Sequence, residues 1–256
     1  MIDFASFDYS MLLPFILVGF AAQLVDGALG MAFGVISNTV LVAILGVSPA
    51  TASASVHLVE SFTTAASGIS HVIHRNVNWR LFFRLLIPGV IGGVLGAYVL
   101  SNIHAEVARP FVMTYLAAIG IYLLVRGLRY PPHSHKEPKV IEPLGLAGGF
   151  LDAAGGGGWG PVVTSNLLVQ GAQPRTTIGT VNTVEFFLTV TISATFIATL
   201  GFKAFTVATV GLLIGGVLAA PFGAIIAKRV PAKALLTMVG VVLTLTSAYS
   251  IIKYLS

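Results

Sequence analysis

The sequence contains no cysteine, and only 9% of its 256 residues are charged. The first absence excludes disulfide scaffolds, thiol catalysis and Cys-ligated metal sites. The second excludes an ordinary soluble domain, because soluble proteins carry about 25% charged residues to cover a water-facing surface. No Lys or Arg precedes Arg75, while Asp3 and Asp8 stand near the start. The basic n-region of a cleavable signal peptide is thus lacking, and the first apolar run is expected to be retained. Enzyme signatures are missing as well: there is no H-E-x-x-H, no G-x-S-x-G and no G-x-x-x-x-G-K-[ST].

What is present is apolar. Hydrophobic residues make up 56% of the chain, with 28 glycines and 12 prolines, and the mean hydropathy is +0.93. This composition predicts a polytopic membrane protein. The net charge of +5 would suggest nucleic acid in a soluble chain, but here the basic residues lie in short loops between apolar runs. They read as topology signals, and no nucleic-acid partner is expected.

Cut where Gly, Pro and charge cluster, the apolar runs fall at about 11–26, 30–46, 50–73, 80–101, 108–129, 143–154, 158–171, 175–200, 206–227 and 232–253. Six of these reach the ~20 residues needed to cross ~30 Å of hydrocarbon. The other four are shorter. They meet in pairs at Asp26-Gly27-Ala28-Leu29-Gly30 and at Asp152-Ala153-Ala154-Gly155-Gly156-Gly157-Gly158, as broken or re-entrant helices do.

Residues repeat along with segments. At an offset of 126, Asp26, Gly30, Phe33 and Gly34 match Asp152, Gly156, Trp159 and Gly160; at 125, Pro49, Thr51, Val59, Glu60 and Thr64 match Pro174, Thr176, Val184, Glu185 and Thr189. The chain is internally duplicated. The expected units are 1–129 and 143–256, joined by a cytoplasmic linker at 130–142. Flipping the chain between halves puts eleven of the 14 basic residues on one side, leaving Arg109, Lys203 and Lys253; counting each broken pair as one crossing gives nine against five. The positive-inside rule therefore favours inverted repeats of about five segments each. His133-x-His135 in the linker reads as a hydrated loop rather than a metal site, and no metal or other cofactor is expected.

Four carboxylates fall inside apolar segments: Asp26, Asp152, Glu60 and Glu185. An ionisable group at membrane depth costs at least ~2.5 kcal/mol and marks a pathway or relay. Glu60 and Glu185 lie about 15 Å into their helices, near the midplane, with His57 and Asn182 three residues before them on the same face. All four carboxylates are candidates for proton coupling or gating, Glu185 foremost. The alternatives are protonated glutamates that only bond neighbouring helices, and aspartates that only cap backbone N–H groups. Gly156, Gly157 and Gly158 allow a tight turn whose N–H groups face a cavity. Arg175, beside Thr176 and Thr177, replaces Ala50 of the first half and reads equally as an anion-binding fork or a topology arginine. Trp159 reads as cavity-lining or as core. The glycines at 89, 92, 93 and 96, and at 211, 215 and 216, read as helix packing.

The duplicated Asp and glycine-rich turn, the Gly160-Pro161 that follows, and the run Pro174-Arg175-Thr176-Thr177-Ile178-Gly179-Thr180-Val181-Asn182-Thr183-Val184-Glu185-Phe186-Phe187 resemble the sulfite exporter TauE/SafE-like permeases, the TSUP family. In the first half the glycine turn is degraded to Asp26-Gly27-Ala28-Leu29-Gly30-Met31-Ala32-Phe33-Gly34. The resemblance implies an all-helical secondary transporter of small sulfur-containing anions such as sulfite or sulfoacetate across a bacterial inner membrane. The substrate-binding candidates are Arg175, Thr176, Thr177, Asn182, His57, Gly156, Gly157, Gly158 and Trp159. Its partners are the anion and the bilayer, and a homo-oligomer is compatible with it. A passive anion channel and, further off, an intramembrane enzyme are the competing readings.

Overall fold

A computed structural model describes residues 12–29, 31–129, 137–202, 205–229 and 232–255. The acidic N-terminal stretch and most of the linker, including His133 and His135, lie outside them. The described residues form helices and no strand. In the first half, α1 (Leu12–Leu29) breaks before α2 (Phe33–Thr39), which continues into a π-helical stretch, Val40–Ile44; α3 (Pro49–Ile73), α4 (Trp79–Asn102) and α5 (Ala105–Leu128) follow. The second half runs α6 (Glu142–Gly155), a π-helical stretch Gly160–Thr164 continuing into α7 (Ser165–Val169), then α8 (Pro174–Leu200), α9 (Val207–Arg229) and α10 (Ala232–Leu255).

Local chemistry fixes these limits. Ser48 caps α3, its hydroxyl accepting from Thr51 N at 3.3 Å with Pro49 in the first turn. Asn78 caps α4, accepting from the amides of Arg80 and Leu81 at 3.1 and 3.2 Å. Helices α4, α5 and α8 are long and apolar enough to cross a membrane. Phe83, Ile87, Ile91 and Phe111 on α4 and α5 point outward, as side chains do against lipid. The two half-helices, 33–44 and 160–169, are at most about 18 Å long, too short to cross ~30 Å of hydrocarbon alone.

The halves interlock. α1 packs along α9 and α6 packs along α4, so the first helix of each half lies against the fourth helix of the other; α5 pairs with α10 and α3 with α8. Glycines make the first two contacts close. A Cβ on Gly92 of α4 would overlap the carbonyl of Leu146 in α6, and one on Gly215 of α9 would overlap that of Ile16 in α1. The packing role expected for these glycines is what they perform. Lipid offers no hydrophobic drive for helix pairing, so such close backbone approach supplies the attraction.

Candidate functional site

The two chain breaks are built alike. Asp26, near the end of α1, accepts the backbone N–H of Phe33 at 3.2 Å, and Asp152 in α6 accepts that of Trp159 at 2.8 Å. Each carboxylate therefore holds the N-terminal end of the following half-helix, where unpaired donors and the positive dipole end need an acceptor. In the second break Gly156, Gly157 and Gly158 have φ of 74°, 128° and 153°, a run that side chains other than hydrogen tolerate poorly. Tyr115 of α5 donates its hydroxyl to the carbonyl of Gly157 at 3.1 Å and braces the turn.

The N-terminal ends of the half-helices meet. A Cβ on Gly34 would stand 2.8 Å from the Cα of Gly157 and 3.1 Å from Glu60 Oε1. Asn38 crosses to the other half, donating to the carbonyl of Gly155 at 3.0 Å. The C-terminal ends diverge. Arg109, near the start of α5, donates to the carbonyls of Val42, Gly46 and Val47, at 3.3, 3.0 and 3.4 Å. Arg126, near the end of α5, donates to that of Ser165 at 2.9 Å. The two arginines are about 25 Å apart along α5 at 1.5 Å per residue. Sequence reading took both for topology residues; they also satisfy half-helix carbonyls.

Around the meeting point lie three buried ionisable groups: His57 at 0% exposure, Asp152 at 2% and Glu60 at 5%. His57 Nε2 is 3.2 Å from Asp152 Oδ2, and its ring packs on Phe196. Glu60 Oε2 is buried with no hydrogen-bond partner among the described residues. The hydroxyls of Ser37, Thr39 and Thr164 and Asn38 Oδ1 share that condition. These half-helix residues were not among the sequence candidates. Their signal was there: Asn38-Thr39 and Thr164-Ser165 are polar pairs at the 126 offset inside short apolar runs.

The other candidates scatter around this centre. Trp159 is fully buried and donates its indole N–H to Val181 O at 3.2 Å. Asn182 donates to Ser67 Oγ at 3.3 Å. Glu185 is half-buried and makes no side-chain hydrogen bond among the described residues. Thr177 is buried, while Arg175 is exposed and donates through Nε to Asn76 Oδ1 at 2.7 Å, holding the α3–α4 loop against the start of α8. Thr176 bonds Gln173 beside it, at 3.2 Å to the carbonyl. Ten residues of helix, about 15 Å, separate Arg175 from Glu185, so the candidate set divides into a rim and a core. An outward groove of about 520 Å³ between α3, α4 and α8 is lined by Phe82, Phe83, Phe186, Phe187 and other apolar side chains; it offers an anion nothing.

Buried carboxylates thus lie where the two broken helices meet. The family described as Sulfite exporter TauE/SafE matches residues 15–250. The chain belongs to that family. It is similar to the probable membrane transporter protein YtnM of Bacillus subtilis (strain 168), with 42% identity over 249 residues, covering 94% of this chain and 83% of the relative. No solved structure matches. The protein is accordingly a multi-pass membrane transporter of the TauE/SafE type.

Proposed function

We propose that this TauE/SafE transporter moves small sulfur-containing anions, such as sulfite or sulfoacetate, across the bacterial inner membrane by alternating access between two inverted halves. The observation that carries this reading is the meeting of the half-helix N-termini at Gly34 and Gly157, with the two half-helices held by opposite ends of α5. Two helix N-termini converging on one buried point concentrate positive dipole ends there, a setting for a small anion. Unpartnered hydroxyls on Ser37, Thr39 and Thr164 supply neutral donors close by. The capping carboxylates and Glu60 oppose an anion unless they are protonated or paired, and this links anion entry to proton binding. Arg175 at the rim gathers anions, and Glu185 gates the passage between rim and core. Export of one negative charge from a negative interior gains ~2.3 kcal/mol per 100 mV without a coupling ion; uptake needs the proton.

Purified protein in proteoliposomes, offered sulfite, sulfoacetate, taurine and thiosulfate with and without a pH gradient, tests this. Saturable uptake and counterflow of at least one sulfur anion, with weaker affinity in Arg175→Lys because the planar fork is lost, are the expected results. Flux without saturation or counterflow would make the protein a channel. No flux of any of the four would remove the substrate assignment.

A further inference from the structure

His57 is pinned by two oxygens. Its Nδ1 lies 2.7 Å from the carbonyl of Ser53, an acceptor only, so Nδ1 carries a hydrogen in either charge state of the ring. The hydroxyl of Ser53, 3.3 Å from the same nitrogen, already donates its hydrogen to Ala153 O at 2.7 Å. The tautomer is thereby fixed, and Nε2 faces Asp152 Oδ2 at 3.2 Å. If the ring is neutral and the carboxylate ionised, two lone pairs point at each other in a site almost closed to water. That arrangement is repulsive, and one proton between the two atoms turns it into a hydrogen bond.

We propose that His57 and Asp152 hold a single shared proton and that this pair is the proton-binding element of the transport cycle, a proposal that rests on the transporter reading above. The proton resides on Nε2 as imidazolium against carboxylate, or on Oδ2 as acid against neutral imidazole, and leaves to water when the pathway opens. Its loss places one uncompensated negative charge in the site and breaks the Nε2 to Oδ2 contact. Asp152 Oδ1 also accepts the first N–H of the second half-helix, and Trp159 in turn grips α8 through Val181 O. Proton loss therefore reaches both elements through one carboxylate. The duplication contains its own control: the residue equivalent to His57 is Asn182, which cannot titrate and bonds Ser67 instead, so Asp26 has no matching histidine. The titratable groups facing the pair are Glu60 on α3, Tyr115 on α5, Glu185 on α8 and, through the glutamates, Asp26 on α1.

Asp152→Asn is the informative variant, since its Oδ1 still accepts from Trp159 and its Nδ2 donates to Nε2, keeping both bonds with no proton to lose. Purified wild type and Asp152→Asn are titrated, reading the His57 ring ¹⁵N signals and the carboxylic C=O infrared band. The wild type should show one common midpoint for the two signals, and Asp152→Asn should abolish it. In liposomes the pH profile of exchange, up to about tenfold per unit for a one-proton step, should flatten in Asp152→Asn. Separate midpoints in the wild type, or an unchanged His57 titration or pH profile in Asp152→Asn, would overturn the proposal. The spectroscopic arm needs no substrate, so its failure is distinct from a failure to find transported sulfur anions.

Discussion

Gly157 illustrates how much of the site rests on single atoms. Its φ of 128° lies where a Cβ is strained, and that Cβ would overlap the backbone of Gly34 and Val35 in the other half. Gly46 has φ of 71° but open space within 4 Å. The two positions separate conformational strain from steric exclusion. Gly46→Ala should cost about 1 kcal/mol, the left-handed penalty alone, whereas Gly157→Ala should cost several times that or prevent folding; thermal unfolding in detergent compares them. Equal losses would mean that the approach of the two turns is soft. The sequence marked Gly157 as a turn residue, because a glycine run after an aspartate requires one. It did not reveal the partner, because Gly34 is 123 positions away and no local pattern encodes contact between halves. The same limit applies to His57, whose helical spacing pointed to Glu60 while its ring reaches Asp152.

At the scale of elements, sequence and structure agree closely where hydropathy is decisive: runs at 143–154 and 175–200 became α6 and α8 with ends moved by a residue or so. Pro49 and Pro174 announced two helix starts because proline suits a first turn. The π-helical stretches were not legible, since wide-turn hydrogen bonding leaves hydropathy unchanged, yet one occurs in each half-helix, and such turns often mark functional positions. The half-helices also contact α5, whose Arg109 donates to carbonyls at the C-terminal end of the first and whose Arg126 donates to Ser165 O within the second. Arg109→Met should therefore raise amide hydrogen exchange around Val40–Val47 with little change at Ser165–Val169, and Arg126→Met should do the reverse. Uniform exchange changes in either variant would show that α5 is a general scaffold and not a pair of local anchors.

For the whole molecule the prediction is topological. The exposed ends of α5, at His104 and Arg129, should lie on opposite faces, with Arg129 and the linker expected on the cytoplasmic one. The chain has no native cysteine, so single cysteines at 104 and 129 report cleanly to an impermeant thiol reagent in whole cells. Positions 6, 134 and 256, outside the described residues, extend the map, with 134 inside and the other two outside. Labelling of 6, 104 and 256 but not of 129 or 134 from the exterior is expected; protection of 6 and 256 would refute the inverted arrangement.

The reciprocal pairing of α1 with α9 and of α6 with α4 bears on biogenesis. At a ribosome adding about 5–20 residues per second, α1 enters the bilayer many seconds before α9 exists, and the face that Gly215 will approach must wait against lipid or a chaperone. Nearly all of the chain must be made before its earliest helix finds a home. A nascent product ending after α5 has one member of each interlocking pair and the mate of none, so quality control should remove it within a short chase. Supplying the missing half as a second polypeptide should rescue it. For such a protein, synthesis order and assembly order are nearly opposite, and premature termination is costly however late it falls.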